Sequence, residues 1–247
     1  MTLGIGIKCK DGVVIASDSQ VEFGRGVSIK RLNANKIYKI NDRLAVVGSG
    51  KMASIDKAID TISKSIKERE RREGRELGLD ELVDIIEKTM TALHKEYNID
   101  RSEFLGRTEE DFFDATLVAG GMSEVGEPIL FLAHPDGLVE GKSDYGTIGM
   151  GAAFAELLLK NFPIPDIEAE EAVRVALYII KEVEEVNPDV GGPINIGFFT
   201  PEGYKELEPK ERSKLINEIT PAFEILSTHV IPRILKGKIS VDELGKL

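Results

Sequence analysis

The feature that most constrains this chain is how early its first strand begins. Leu3, Ile5, Ile7 and Cys9 alternate with Gly4, Gly6, Lys8 and Lys10, the two-residue period of a strand with one buried face. Asp11-Gly12 follows, a pair suited to a tight hairpin turn, and Val13-Val14-Ile15-Ala16 reads as the returning strand. Chain ends ordinarily fray. Here a sheet that starts at residue 3 is expected to tie down residue 2, so any chemistry carried at the start of the chain is held in place by the fold.

The pattern downstream predicts more hairpins and paired helices. Phe23-Gly24-Arg25-Gly26 reads as a loop, and residues 36–40 and 44–47 flank Asn41-Asp42 as a second hairpin ending at Gly48-Ser49-Gly50. Ile55, Ile59, Ile62 and Ile66 recur at helical spacing, as do Leu79, Leu82, Ile86, Met90 and Leu93. The mixed charges of residues 67–76 between them predict a solvated helix end and turn rather than an interaction tail. Strands are expected over 115–120, 128–133 and 138–139, with Pro135-Asp136-Gly137 turning between the last two. A helix follows Gly149-Met150-Gly151 and ends near Asn161, another covers 172–186, and a buried strand covers 194–199. After Pro209 the pattern is helical, broken by Pro221 and Pro232. Hairpins imply antiparallel sheet, so the expected class is α+β: two packed antiparallel sheets covered by helix layers. The expected division is a domain over 1–208 and a helical C-terminal extension over 209–247, packed on the same domain or a neighbour.

Charge and cysteine usage narrow the function classes. The chain of 247 residues carries 43 Asp plus Glu against 32 Lys plus Arg, a net charge of −11, which argues against a broad nucleic-acid or anionic-membrane surface. No apolar run is long enough to span a bilayer, and the first residues lack a secretory pattern, so a cytoplasmic protein is expected. Cys9 is the only cysteine, and His94, His134 and His229 are scattered. Neither a disulfide nor a metal site is expected, and no organic cofactor is implied. Cys9 itself continues the apolar face of the first strand and reads as core. Gly48-Ser49-Gly50-Lys51 is not a phosphate loop, because that motif needs Gly at 45 and Ser or Thr at 52, where Ala45 and Met52 stand. High charge, no Trp and a single glutamine, Gln20, fit the composition of thermophile proteins.

Thr2 is the residue with the most chemical promise. Aminopeptidases remove Met1 readily when residue 2 is small. Removal leaves Thr2 with a free α-amine beside its own hydroxyl, a nucleophile and a base on one residue. An α-amine titrates near ~7.7–8.0, in the useful range for a base at neutral pH. Alone this is weak, since many chains begin Met-Thr.

The run from Thr2 through Asp18, without a gap, resembles the mature start of proteasome β-type subunits, the N-terminal-nucleophile hydrolases. The resemblance continues through residues 35–43 and Ser49-Gly50, and by element order to about Thr200. It implies a four-layer α-β-β-α sandwich and a threonine-type peptidase without cofactor. It also implies assembly into homo-oligomeric rings that admit peptides or unfolded chains. By this resemblance Thr2 falls on the nucleophile, Lys36 on the active-site lysine, Asp18 on the carboxylate paired with it, and Gly50 on the glycine whose N–H holds the oxyanion. Gly48 falls at the specificity pocket, where a glycine would leave it roomy, and Asp56 one turn on would favour a basic side chain; the other reading of Asp56 is a surface helix charge. Taken singly, Asp18 and Lys36 also fit a structural ion pair and Gly50 a strand end. Their joint spacing with Thr2 favours the site.

The second half departs from the family pattern. Met150 stands where the family has Ser in the glycine-rich turn, and Asn187 and Val190 stand at the Asp and Ser before Gly191-Gly192. Those residues support the nucleophile's amine in the family. Two further readings therefore accompany the peptidase: a non-catalytic ring subunit of the same fold, and a peptide ligase or transpeptidase on the same scaffold.

Overall fold

The computed structural model describes residues 2–23, 29–106 and 112–236. Met1, the loop glycines Gly24 and Gly26, and the end of the predicted extension lie outside them. The chain divides into two compact units, the second beginning at Glu208.

The first unit opens with β1 (Leu3–Lys8), β2 (Val13–Ser17), β3 (Gln20–Phe23), β4 (Ile29–Leu32), β5 (Ile37–Lys39) and β6 (Leu44–Gly50). Two helices follow, α1 (Met52–Glu73) and α2 (Leu79–His94). A π-helical turn (Lys95–Asp100) carries the second into α3 (Arg101–Leu105). Then come β7 (Ala115–Met122), β8 (Pro128–Ala133), β9 (Val139–Gly141), β10 (Tyr145–Gly149), α4 (Ala152–Leu159), α5 (Ala169–Val186), β11 (Asn195–Thr200) and β12 (Gly203–Glu206). One five-stranded sheet runs β10-β1-β2-β11-β12 and the other β5-β6-β7-β8-β9, while β3 and β4 form a separate ribbon. Every pairing is antiparallel.

Glycine decides how closely the sheets approach. A Cβ added at Gly6 would lie 2.4 Å from Leu130 Cδ1 and 2.6 Å from Val118 Cγ1, and one at Gly4 3.0 Å from Val47 Cγ1. The alternation in β1 predicts one buried face, yet both are buried. Leu3, Ile5 and Ile7 fill one side, and the glycine side is pressed against the facing sheet. Val13, Ile15, Val47, Val118, Leu130 and Phe199 complete that inter-sheet core. A second core lies between β6–β8 and the helix pair, built from Leu44, Val46, Leu117 and Phe131 against Ile55, Ile62, Ile86 and Met90. On the other flank, α5 buries Ala172, Val173, Ala176, Leu177 and Ile180. The four layers are thus helices, sheet, sheet, helices.

Some local readings hold and others change. The charged run stays helical to Glu73, stops at left-handed Gly74 (φ 68°), and ties α1 to α2 through Arg75–Glu81 at 2.7 Å and to the second hairpin through Arg43–Glu76 at 2.8 Å. The third strand of the 115–139 region begins at Val139 rather than Leu138. The ribbon β3–β4 and the edge strands β10 and β12 go unpredicted, being short, and β10 is glycine-rich. Cys9 lies in the core, 4 % exposed, just past β1. Burial, with Asp11 adding to it, pushes its thiol up to about 12, so it stays protonated and unreactive.

The second unit holds α6 (Pro209–Ile225), a π-helical turn (Leu226–Val230) and α7 (Ile231–Leu235). Pro221 lies inside α6 without ending it. Pro232 sits in the first turn of α7, where a missing N–H costs little.

Candidate functional site

Asp18, just past the end of β2, is the hub. It is fully buried, and its carboxylate collects four donors. Oδ1 accepts from Leu3 N at 3.0 Å and Lys36 Nζ at 2.8 Å. Oδ2 accepts from Gln20 N at 3.0 Å and Gly191 N at 3.3 Å. The Leu3 contact comes from the antiparallel pairing of β1 with β2, which brings the start of the chain beside residue 18. Asp18 N in turn donates to Leu3 O at 3.2 Å.

Lys36 immediately precedes β5 and is 3 % exposed. Its ammonium has three donors and three acceptors here: Asp18 Oδ1 at 2.8 Å, the Gln20 carbonyl at 2.6 Å and Thr2 Oγ1 at 2.9 Å. Burial pulls its pKa below the ordinary lysine value, with the Asp18 carboxylate opposing that shift. Thr2 is 4 % exposed and its hydroxyl oxygen accepts from a cation, an arrangement that favours deprotonation of the hydroxyl. Thr2, Asp18 and Lys36 are therefore in direct contact, although 34 residues separate the first from the last.

Gly50 ends β6, in the sheet that also holds β5, with φ +123°. A Cβ there would lie 2.1 Å from Asp114 O. The link to Thr2 runs through Gly149, where a Cβ would come 3.0 Å from Ser49 Oγ and 2.1 Å from Thr2 O. Replacing Gly50 by Ala meets both a forbidden backbone region and a backbone clash. The expected loss is about 2–4 kcal/mol, read as a fall of roughly 5–15 °C in melting temperature.

The turn over Thr2 is Gly149-Met150-Gly151. Gly151 N approaches Thr2 O at 3.4 Å. Met150 points its side chain outward, 58 % exposed, while its carbonyl accepts from Asn187 Nδ2 at 3.1 Å. Asn187 Oδ1 accepts from Asp189 N at 3.0 Å, so both functional atoms of this amide serve the backbone. Val190 is buried and its Cγ2 would touch a Cβ on Gly151 at 3.0 Å. The three positions that depart from the family pattern do meet at this turn. Asn187 meets the Met150 carbonyl and Val190 packs at Gly151, while the Met150 side chain points to solvent.

Gly48 faces the first helix. A Cβ there would lie 2.6 Å from Ile55 Cγ2, so α1 has already filled the space that the glycine leaves. Asp56 is exposed on α1 and accepts from Tyr38 OH at 3.3 Å. Burial, together with that carboxylate, pushes the Tyr38 hydroxyl up to about 12. Gly48 thus faces α1, and Asp56 is tied through Tyr38 to the strand that follows Lys36. Gln20 is the site residue that sequence reading passed over; its only signal is being the single glutamine two residues after Asp18.

Among the described residues no three His, Cys, Asp or Glu gather as a metal-binding group, and no helix is long and apolar enough to cross a membrane.

Two face-to-face antiparallel sheets between helix layers, with the chain's first strand leading out of a threonine, define the N-terminal-nucleophile hydrolase fold. The family model described as "Proteasome subunit" matches residues 2–198. Proteasome subunit beta 1 of Thermococcus onnurineus is 31 % identical over 216 residues, covering 87 % of this chain and 96 % of that one. Proteasome subunit beta of Methanobrevibacter ruminantium is 28 % identical over 218 residues, covering 88 % and 95 %. Proteasome subunit beta 2 of Pyrobaculum aerophilum is 28 % identical over 204 residues, covering 83 % and 91 %. The chain belongs to the proteasome subunit family, as a divergent member.

Proposed function

We propose that this chain is a proteasome-type threonine peptidase that hydrolyses peptide bonds in peptides or unfolded chains. The observation that carries the reading is the Lys36 ammonium set between Thr2 Oγ1 and Asp18 Oδ1 at 2.9 and 2.8 Å. Removal of Met1 frees the Thr2 amine. The hydroxyl, its pKa lowered by Lys36, attacks the substrate carbonyl, and its proton passes to the amine through a water. Asp18 keeps Lys36 charged and aimed. The Gly50 N–H donates to the oxyanion. The intermediate collapses: the scissile C–N bond breaks as the protonated Thr2 amine gives its proton to the departing peptide amine. Water then attacks the acyl ester, with the amine again as base, releasing the acid product and restoring the Thr2 hydroxyl. Residues 1–208 carry this chemistry and 209–247 form an extension to it. Homo-oligomeric rings in the cytoplasm complete the reading, since family relatives carry the name of a subunit.

The neutral residues Met150, Asn187 and Val190 around this turn favour a second reading, a ring subunit that builds the assembly without cleaving. Intact mass before and after exposure to a peptide epoxyketone separates the two. That reagent closes its ring adduct only on a threonine with both hydroxyl and free amine. The peptidase reading expects a chain lighter by one Met that gains one adduct at Thr2. A chain that keeps Met1 when made in its own cells, or a processed chain inert to a panel of such reagents, establishes the non-catalytic subunit instead.

A further inference from the structure

Gln20 touches the site through three separate groups. Its N–H donates to Asp18 Oδ2 at 3.0 Å, and its carbonyl accepts from Lys36 Nζ at 2.6 Å, closer than either of that ammonium's other partners. Its side chain turns the other way, and Nε2 donates at 2.9 Å to the carbonyl of Pro188, 168 residues along the chain. The residue is 5 % exposed. An amide buried this deeply is retained where it has a partner to hold.

The local architecture gives that side chain a task. Gln20 is the first residue of β3, whose strand partner among the described residues is β4, and an isolated two-stranded ribbon is marginally stable. The carbonyl that completes the Lys36 shell therefore sits at the root of a weakly anchored element. The Pro188 bond, beside the Ser19 N–Gly191 O bond at 3.1 Å, ties that root to the loop after α5. The same loop holds the turn over Thr2 through Asn187 Nδ2 and Met150 O, and meets Asp18 through Gly191 N. Main chain and side chain of one glutamine thus close a ring of contacts: Thr2, Lys36, Gln20, Pro188, Asn187, the 149–151 turn, and Thr2 again.

We propose that Gln20 is a positioning residue: moored on Pro188, it holds its carbonyl against the Lys36 ammonium and so keeps that ammonium aimed at the Thr2 hydroxyl. The proposal rests on Thr2 and Lys36 acting as described above. Among the described residues, the charged or titratable groups around the pair are Asp18 beyond β2, Glu184 on α5 and the freed Thr2 amine. Glu184 Oε1 accepts from Gly192 N at 3.2 Å, and its other oxygen pairs with Lys181. An uncharged substitution leaves that field unchanged. A change in Lys36 titration then reports the carbonyl rather than a new charge.

The test is Gln20→Met, which keeps length and neutrality but loses the donor, with Gln20→Asn, one methylene too short to reach Pro188, as the milder partner. Two readouts apply. The Lys36 titration is followed by NMR of full-length protein carrying 13C at lysine Cε, the signal being assigned by its loss in Lys36→Met. The epoxyketone reaction is split into its maximal rate and its half-saturating concentration. Losing a well-placed acceptor destabilises the charged form, so the Lys36 pKa is expected to fall by about half a unit or more. The maximal rate is expected to fall about tenfold, with the half-saturating concentration within about twofold. If Gln20→Met does not fold, Gln20→Asn is read on the same terms. An unchanged Lys36 titration in the folded variants overturns the proposal, whatever the rate does, and so does a change confined to the half-saturating concentration. Should the parent take no adduct on Thr2, the peptidase reading fails on its own, and the titration still decides whether Gln20 sets the state of Lys36.

Discussion

Thr2→Ala forms no epoxyketone adduct and loses peptide hydrolysis by about 10³-fold or more, while melting within about 3 °C of the parent. The separation of the two effects is what makes the result informative. Alanine is as acceptable as threonine for removal of Met1, so the free amine is preserved and only the hydroxyl is deleted. The backbone contacts that tie the start of the chain to Asp18 come from Leu3, whose N–H and carbonyl both bond residue 18; these remain. Lys36 loses one acceptor of three but keeps Asp18 and the Gln20 carbonyl. Thr2→Ser, which restores a hydroxyl without the methyl, is expected to regain adduct formation to within about tenfold of the parent. If Thr2→Ala cleaves peptides at the parent rate, the nucleophile lies elsewhere.

What could be read from the sequence, and what could not, follows the range of the interactions. The grouping of Thr2, Asp18 and Lys36 was legible only through the family resemblance; the structure supplies its physical reason in part, since β1 pairs Gly4 with Ser17 and so sets residue 18 beside the beginning of the chain. The fold class was legible from turns and periodicity within each hairpin. The alternation in β1 identified a strand but could not say what covers its glycine face, because Leu130 and Val118 come from the other sheet. Gly48 looked open for a similar reason: the side chain that fills its space, Ile55, belongs to the next helix and reaches it only after packing. Gln20 was silent because its partner is a carbonyl, which no residue type announces, 168 positions away. Edge strand β10, Tyr145-Gly-Thr-Ile-Gly, has too few apolar residues to show a period, and it is the strand that delivers the turn over Thr2.

Lys36→Met is expected to lose adduct formation as fully as Thr2→Ala but, unlike it, to destabilise the protein by about 3–5 kcal/mol. The difference lies in what is left behind. Removing the ammonium leaves the Asp18 carboxylate fully buried with three backbone N–H groups, from Leu3, Gln20 and Gly191, and no cation. Neutral donors stabilise an anion but do not cancel its charge, and a buried carboxylate without a counter-charge is strongly unfavourable. Methionine fills most of the lysine stem's volume, so packing contributes little to the loss. Asp18→Asn in the same chain removes the stranded charge, and the double variant is expected to recover about 1–3 kcal/mol of the loss while staying unreactive. Denaturant unfolding of the two single variants and the double closes the cycle, and labelling is read on the same samples. Recovered stability without recovered labelling separates the two tasks of the pair. The charges balance each other for folding, but only the ammonium meets the Thr2 hydroxyl, at 2.9 Å. Labelling of Lys36→Met at the parent rate breaks that link and leaves Asp18–Lys36 a structural ion pair.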